Sequence, residues 1–124
     1  MRTVRSLAVM LLYVLLGAGP LLAQSQGQWA PPKCDIKPGH YLVNGGQLHL
    51  KQAFETKFDD QRTKELQDAQ RVLVQAVTTG GQEKNPAAWY YLGRYYILVN
   101  DPVGMDTAFN KTEALKPDCK ADID

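Results

Sequence analysis

The stretch 85–96, NPAAWYYLGRYY, decides the fold of this chain. Its apolar and aromatic residues Trp89, Leu92 and Tyr96 recur at a spacing of three to four residues, so they share one face of a helix. Gly93 lies beside them and removes a side chain at a point where a second helix can approach closely. We therefore expect a packed helix that crosses its neighbour at Gly93.

Capping signals locate this helix and the next one along the chain. Asn85 is a residue type favoured at the helix N-cap, and the proline after it suits the first helical position. Asp101 and the proline that follows it repeat the same signal. The pattern predicts helices over 85–99 and 101–115, the second of which ends before Pro117.

Residues of both helices carry the spacing of a known helical repeat. The tetratricopeptide repeat is a helix–turn–helix unit of about 34 residues with the pattern W-x2-L-G-x2-Y…A-x3-F…P. The span 85–118 resembles one such repeat, with Met105 and Thr112 at positions where the pattern has a small residue. The matching residues are Trp89, Leu92, Gly93, Tyr96, Phe109 and Pro117.

The resemblance implies a packing role for these motif residues, with Phe109 filling the space between the two helices. It also implies an inner groove lined by the first helix of each pair, as in helical solenoids. The residues that similarity to the family puts on that groove are Ala87, Tyr90, Arg94 and Ile97. They do not form the Lys/Asn clamp with which chaperone-binding members hold a C-terminal carboxylate.

Apolar spacing predicts two further helices before the repeat, over 47–58 and 61–79. The first would bury a face that includes Phe58, and the acidic pair that follows it would form a solvated turn. Together they form a degenerate helical hairpin over 47–79, stacked on the repeat. The Gly-rich residues 34–46 are expected to be ordered but mostly irregular. The predicted fold is therefore all-α, with antiparallel helix pairs stacked as a short tetratricopeptide-like solenoid.

The first residues of the chain are typical of a cleavable secretory signal over 1–23. Arg2 and Arg5 precede an apolar run that ends in small residues, and we expect cleavage after Ala23. The alternative is an uncleaved membrane anchor, although the apolar stretch is short for a span of about 20 residues. Residues 24–33 are then a polar, flexible leader. The sequence thus predicts an exported protein, periplasmic or extracellular.

Composition narrows the class of partner. Without Arg2 and Arg5 the mature chain carries one more acidic than basic residue, so it has no basic field for nucleic acid or for an anionic membrane. The remaining chain is a single small domain with a thin core, and it needs a crosslink, a neighbour or repeat stacking for stability.

Cys34 and Cys119 are the only cysteines, an even count that suits an oxidising compartment. One disulfide between them is favoured over free thiols and over an intermolecular bridge. In stacked antiparallel helices the end of the fourth helix lies at the same edge as the start of the first. The segment before the first helix can therefore reach Cys119.

No catalytic, metal or cofactor site is predicted. His40 and His49 are the only histidines, and no zinc-protease motif, serine-nucleophile motif or phosphate loop is present. Cys34, Asp35 and His40 fall short of the four N or S ligands of structural zinc. The neighbouring acids Asp59 and Asp60 would point apart on a helix. We therefore do not expect an enzyme.

The function expected from this reasoning is that of an exported protein-interaction module or scaffold, which binds a protein or peptide of unknown identity. The alternative is a structural role, as an N-terminal fragment or subunit of a longer envelope protein with no ligand groove of its own. Residues 120–124 stop where a further helix would begin, which favours that alternative. Self-association is expected on a separate ground, because the outer face of the fourth helix would be incompletely covered in this chain.

Overall fold

The computed structural model describes Trp29, Ala30 and residues 32–119. The predicted signal peptide and most of the predicted leader lie outside these residues. The described part is all-helical and contains no strand, which confirms the predicted class. Its elements are α1 (Tyr41–Glu55), α2 (Asp59–Val77), α3 (Pro86–Leu98), α4 (Pro102–Leu115) and a short 3-10 helix (Pro117–Cys119).

Helix α1 begins at Tyr41, six residues before the start predicted at Gln47, so only residues 34–40 of the segment 34–46 are irregular. His40 caps this helix, because its Nδ1 accepts a hydrogen bond from the backbone N–H of Leu42 at 3.3 Å. The glycines that suggested a turn lie inside the helix. Gly46 is buried where α1 crosses α2, and a Cβ there would overlap the Leu73 side chain. Close packing of the two helices thus outweighs the cost of glycine in a helix, about 0.5–1 kcal/mol per residue.

The turn between α1 and α2 also differs from the prediction. Helix α1 ends at Glu55, and Phe58 is 67% exposed rather than buried on a helix face. The acidic pair is the start of α2, where negative charge is favourable near the positive end of the helix dipole. Arg62 closes the turn by donating to the carbonyl oxygens of Ala53 at 3.2 Å and Thr56 at 2.7 Å. These are backbone acceptors that the end of α1 would otherwise leave unpaired.

Helices α3 and α4 begin at the capping signals found in the sequence. The Asn85 side chain accepts from the backbone N–H of Ala87 at 3.0 Å. The Asp101 carboxylate accepts from the N–H of Gly104 at 3.0 Å. Each cap satisfies one orphan donor in the first helical turn and fixes where the helix starts.

The four helices pack as two hairpins. Helix α1 pairs with α2, and α3 pairs with α4; α3 also contacts both helices of the first hairpin. Helix α4 packs on α3 and on the 3-10 helix. In each hairpin a glycine lies beneath a bulky side chain of the second helix: Gly46 beneath Leu73, and Gly93 beneath Phe109. The two hairpins therefore use the same kind of close crossing.

The core runs through both hairpins as one cluster. It combines aliphatic residues of the first hairpin with the tyrosines of α3. The largest completely buried side chains are Tyr91, Leu50, Leu73, Val43, Thr112 and Cys119. Among the described helices, none combines the length and apolar character needed to span a bilayer.

A disulfide joins Cys34 to Cys119, as predicted, with 5.2 Å between the two Cα atoms. It links the segment before α1 to the 3-10 helix after α4, across a sequence separation of 85 residues. In the chain-entropy description a loop of this length contributes at most about 4–5 kcal/mol to the free energy of unfolding. The bridge therefore ties together both ends of the helical domain.

Candidate peptide-binding face

The motif residues of 85–118 occupy different depths in the structure. Leu92 and Phe109 are buried, and Gly93 lies beneath the Phe109 ring. Trp89 is only half-buried, and its indole N–H donates to the Glu83 carbonyl oxygen at 2.8 Å.

The remaining motif positions lie nearer the surface. Tyr96 is half-buried and touches α4, because a Cβ on Gly104 would overlap its ring. Pro117 is exposed and opens the 3-10 helix that follows α4. Thr112, which stands where the repeat pattern has a small residue, is buried and satisfies its hydroxyl by donating to the Ala108 carbonyl oxygen at 3.0 Å.

Two tyrosines that the motif does not mark contribute more to the core. Tyr91 and Tyr95 are both buried. Burial raises the pKa of Tyr91 to about 12, with the neighbouring Tyr90 adding to the effect and Arg94 opposing it. Burial likewise raises the pKa of Tyr95. The sequence signal for them was weak, since α3 is apolar around most of its circumference and offers no single stripe.

The four residues assigned to an inner groove do not form one open surface. Ala87 and Tyr90 are buried, Arg94 is half-buried, and Ile97 is 50% exposed. An N-terminal strap covers this side of α3; we define the strap as Trp29, Ala30 and residues 32–40. The part of the face that stays open is therefore the part near Ile97.

Arg94 holds Trp29 and Ala30, at the N-terminal side of the strap. Its guanidinium lies over the Trp29 ring, 4.3 Å from the ring centroid. Its Nη1 also donates to the Ala30 carbonyl oxygen at 3.1 Å and to the Tyr90 hydroxyl at 3.0 Å. The Arg94 side chain thus contacts both the Trp29 ring and the backbone of the next residue. A cation over an aromatic face contributes about 0.5–1 kcal/mol at an exposed position.

The Trp29 ring also reaches α1. It meets the Phe54 ring edge-on, with the ring centroids 5.9 Å apart. Pairs of this geometry contribute about 0.5–1.5 kcal/mol beyond the area they bury. We call Phe54, Tyr90 and Arg94 the Trp29 site. It is built from α1 and α3, the first helices of the two hairpins.

The other end of the strap is fixed more firmly. Cys34 is covalently bound to Cys119, and Ile36 is buried in the core. The Asn85 side-chain amide donates to the Pro38 carbonyl oxygen at 2.8 Å, so the residue that caps α3 also holds the strap. The strap therefore runs from the middle of α3 towards its N-terminus before the chain turns into α1.

Other polar groups link helices. His49 Nδ1 lies 2.7 Å from the Glu65 carboxylate and so joins α1 to α2. The sulfur of Cys34 is bonded to Cys119, which removes it as a ligand beside Asp35 and His40. Within the described residues, no three His, Cys, Asp or Glu side chains are grouped closely enough to hold a metal ion.

The outer side of α4 exposes apolar residues. Val103 is 74% exposed, and Leu115 is also exposed.

Comparison of the chain with family models, curated proteins and solved structures finds no match.

Proposed function

We propose that this chain is an exported, tetratricopeptide-like helical module that binds an extended segment of another protein on the face formed by α1 and α3. The observation that carries the proposal is the strap itself. Trp29 and Ala30 lie on this face, and Arg94 holds them through ring and backbone contacts. A surface that accepts one extended segment has the shape and the donors to accept another.

The helix arrangement supports the tetratricopeptide-like part of the proposal. Helix α3 contacts both members of the first hairpin, so the first helices of the two hairpins lie side by side. Leu73 and Ala76 of α2 stand at the spacing of Phe109 and Thr112 of α4, and each set packs in its own hairpin core. The second helices of the two hairpins thus bury residues at the same spacing, which supports the proposal, although the first hairpin has Leu73 where the repeat pattern has Phe and lacks the Trp and Tyr of the pattern in α1.

Export is supported by two independent features. The sequence begins with residues typical of a secretory signal. The disulfide between Cys34 and Cys119 is a bond that persists in oxidising compartments. A binding module exported to such a compartment meets its partners outside the cytoplasm.

Site-specific photo-cross-linking tests the binding face. A photoreactive phenylalanine replaces Ile97 on α3, and matched chains carry it at Val74 on α2 or at Val103 on α4, all of which are exposed. The three chains are incubated in the periplasmic or culture fluid of the producing cell. We expect a discrete protein adduct from position 97 and none from position 74.

The alternative function is structural, and the uncovered side of α4 favours it. Val103 and Leu115 are apolar and exposed there, as they would be if another helix or subunit stacked on α4. A discrete adduct from position 103, without one from position 97, would support this stacking role and contradict the proposed peptide-binding face.

A further inference from the structure

We propose that the Trp29 site is a recognition site for an extended partner segment that carries an aromatic side chain, and that the chain's own Trp29 fills the site until such a segment displaces it. The inference rests on the proposed function and specifies the ligand chemistry of the same face. The partner is a protein with a segment that imitates the strap: a tryptophan followed by a residue with a free backbone carbonyl.

The contacts of the site define this chemistry. The Arg94 guanidinium and the Phe54 ring select an aromatic side chain, because Arg94 lies over the Trp29 indole and Phe54 meets the indole in a T-shaped contact. Arg94 then donates to the carbonyl oxygen of Ala30, a backbone atom that any residue offers. The Ala30 side chain is exposed, so the site places little demand on the second residue. Recognition therefore needs one aromatic ring and an extended backbone.

The strap divides into a fixed part and a displaceable part. From Cys34 onward a covalent bond, the buried Ile36 and the contact between Pro38 and Asn85 hold it in place. Trp29, by contrast, is half-buried, and Ala30 is exposed. A segment held by a few surface contacts can leave while the helical domain stays folded.

The sequence of the strap suits it to act as a resident ligand. Ala30 precedes Pro31 and Pro32, and a residue before proline favours an extended backbone. Proline-rich segments lose little conformational entropy on binding. The disulfide at Cys34 also tethers Trp29 close to its site, which gives it a high effective concentration. A free peptide must compete with this tethered residue.

A peptide titration tests the proposal on the full chain. The probe is the acetylated and amidated peptide QGQWAPPK, which repeats residues 26–33. It is added to the unaltered protein and to Trp29→Ala, in which the site is vacated, and binding is followed by amide chemical shifts. We expect saturable binding to Trp29→Ala, with the largest shifts at Phe54, Tyr90 and Arg94, and at least tenfold weaker binding to the unaltered chain.

Three controls establish which contacts the peptide uses. The peptide QGQAAPPK lacks the aromatic ring and should bind Trp29→Ala at least tenfold more weakly. Trp29→Ala/Arg94→Ala should lose the same factor for QGQWAPPK, whereas Trp29→Ala/Arg71→Ala should bind it unchanged, because Arg71 lies on the exposed side of α2. Equal binding of both peptides, or equal affinity for the unaltered and vacated chains, would overturn the proposal.

A second measurement needs no substitution in the protein. The peptide QGQFAPPK contains no tryptophan, and as it fills the site of the unaltered chain it should raise the acrylamide quenching of the protein's fluorescence through Trp29, over a constant contribution from Trp89. Quenching that stays constant up to millimolar peptide would overturn the proposal. A stable dimer of the unaltered chain that Trp29→Ala abolishes would also overturn it, because the occupant would then be a second copy.

The two proposals fail separately. If no peptide binds the vacated site while the cross-link from position 97 persists, the binding face stands and the aromatic site is excluded. If the peptide binds but position 97 yields no adduct, the aromatic site stands and the exported partner lies elsewhere.

Discussion

At the scale of single residues, Gly93 sets how closely α3 and α4 approach. A Cβ at this position would overlap the Phe109 ring, which is itself buried. We predict that Gly93→Ala lowers the free energy of unfolding by about 1–3 kcal/mol, because the ring must move in a packed core. Urea unfolding followed by circular dichroism measures the change.

Gly45 provides the matched control. It lies in α1, and a Cβ there would meet nothing within 4 Å. Gly45→Ala should therefore stabilise the protein by about 0.5–1 kcal/mol through the better helix propensity of alanine. A stabilising effect of the same size from Gly93→Ala would contradict the close crossing at Phe109.

The buried Tyr91 predicts a loss of stability at alkaline pH. Its pKa is raised to about 12 by burial, whereas a tyrosine in the unfolded chain ionises near 10. Between these values the unfolded state has released a proton that the folded state still holds, so the free energy of unfolding falls as pH rises. Below pH 10 Tyr91 is protonated in both the folded and the unfolded state, so it does not contribute to the pH dependence of the free energy of unfolding.

Two variants isolate this effect. Tyr91→Phe should make the fall in unfolding free energy between pH 10 and 12 less steep. Tyr41→Phe, which alters a ring that is 75% exposed, should leave the fall unchanged. Identical pH profiles for Tyr91→Phe and the unaltered chain would show that Tyr91 ionises alike in both states.

The central contact of the candidate site could not be predicted from the sequence. Arg94 and Ala30 are separated by 64 positions, and no local periodicity relates them. The leader was expected to be flexible because it is polar and contains prolines, yet Trp29 within it contacts both Phe54 and Arg94. The one signal in the sequence was a large aromatic residue, Trp29, in an otherwise polar segment, which indicates that the segment packs against the helical domain.

At the scale of helices, the end of α1 depends on a side chain from α2. Arg62 donates to two carbonyl oxygens there and forms an ion pair with Asp59 at 2.9 Å. We predict that Arg62→Ala lowers the free energy of unfolding by about 1–3 kcal/mol, since hydrogen bonds from a charged donor are lost at orphan backbone acceptors. Thermal and urea unfolding both report this loss.

Arg71→Ala is the control on the same helix. Arg71 is exposed, and its ion pair with Asp68 spans 3.6 Å, so its removal should change stability by about 0.5 kcal/mol or less. A loss from Arg62→Ala no greater than that from Arg71→Ala would mean that the α1–α2 turn holds without the Arg62 contacts.

Helix boundaries were predictable where capping residues mark them. Asn85 and Asp101 both accept backbone hydrogen bonds at the helix starts that the sequence indicated. The start of α1 was missed because Gly45 and Gly46 are typical of turns. Only the crossing with Leu73, a tertiary contact, explains why Gly46 lies within a helix.

At the scale of the whole molecule, the disulfide between Cys34 and Cys119 carries much of the stability. We predict that its reduction lowers the free energy of unfolding by up to about 4–5 kcal/mol, because the unfolded chain gains the entropy of an open loop. Calorimetry with and without reductant measures the drop in melting temperature. Cys34→Ser/Cys119→Ser should match the reduced protein and lose all sensitivity to reductant; an unchanged melting temperature would contradict this role.

The all-helical class and the pairing of the two cysteines were predictable because each depends on a strong pattern: helical spacing in the first case, and an even cysteine count with antiparallel topology in the second. The course of the strap depends instead on contacts between distant parts of the chain. Those contacts turn an expected open groove into a face that is already occupied near Tyr90.

The most direct test of the account is the affinity of the exported partner, once cross-linking at position 97 has identified it, for Trp29→Ala relative to the unaltered chain. If the strap competes for the α1–α3 face, removing the indole raises the fraction of binding-competent protein, and the dissociation constant should fall several-fold. An unchanged or larger dissociation constant for Trp29→Ala, at an unchanged melting temperature, would contradict the claim that Trp29 occupies the partner's site.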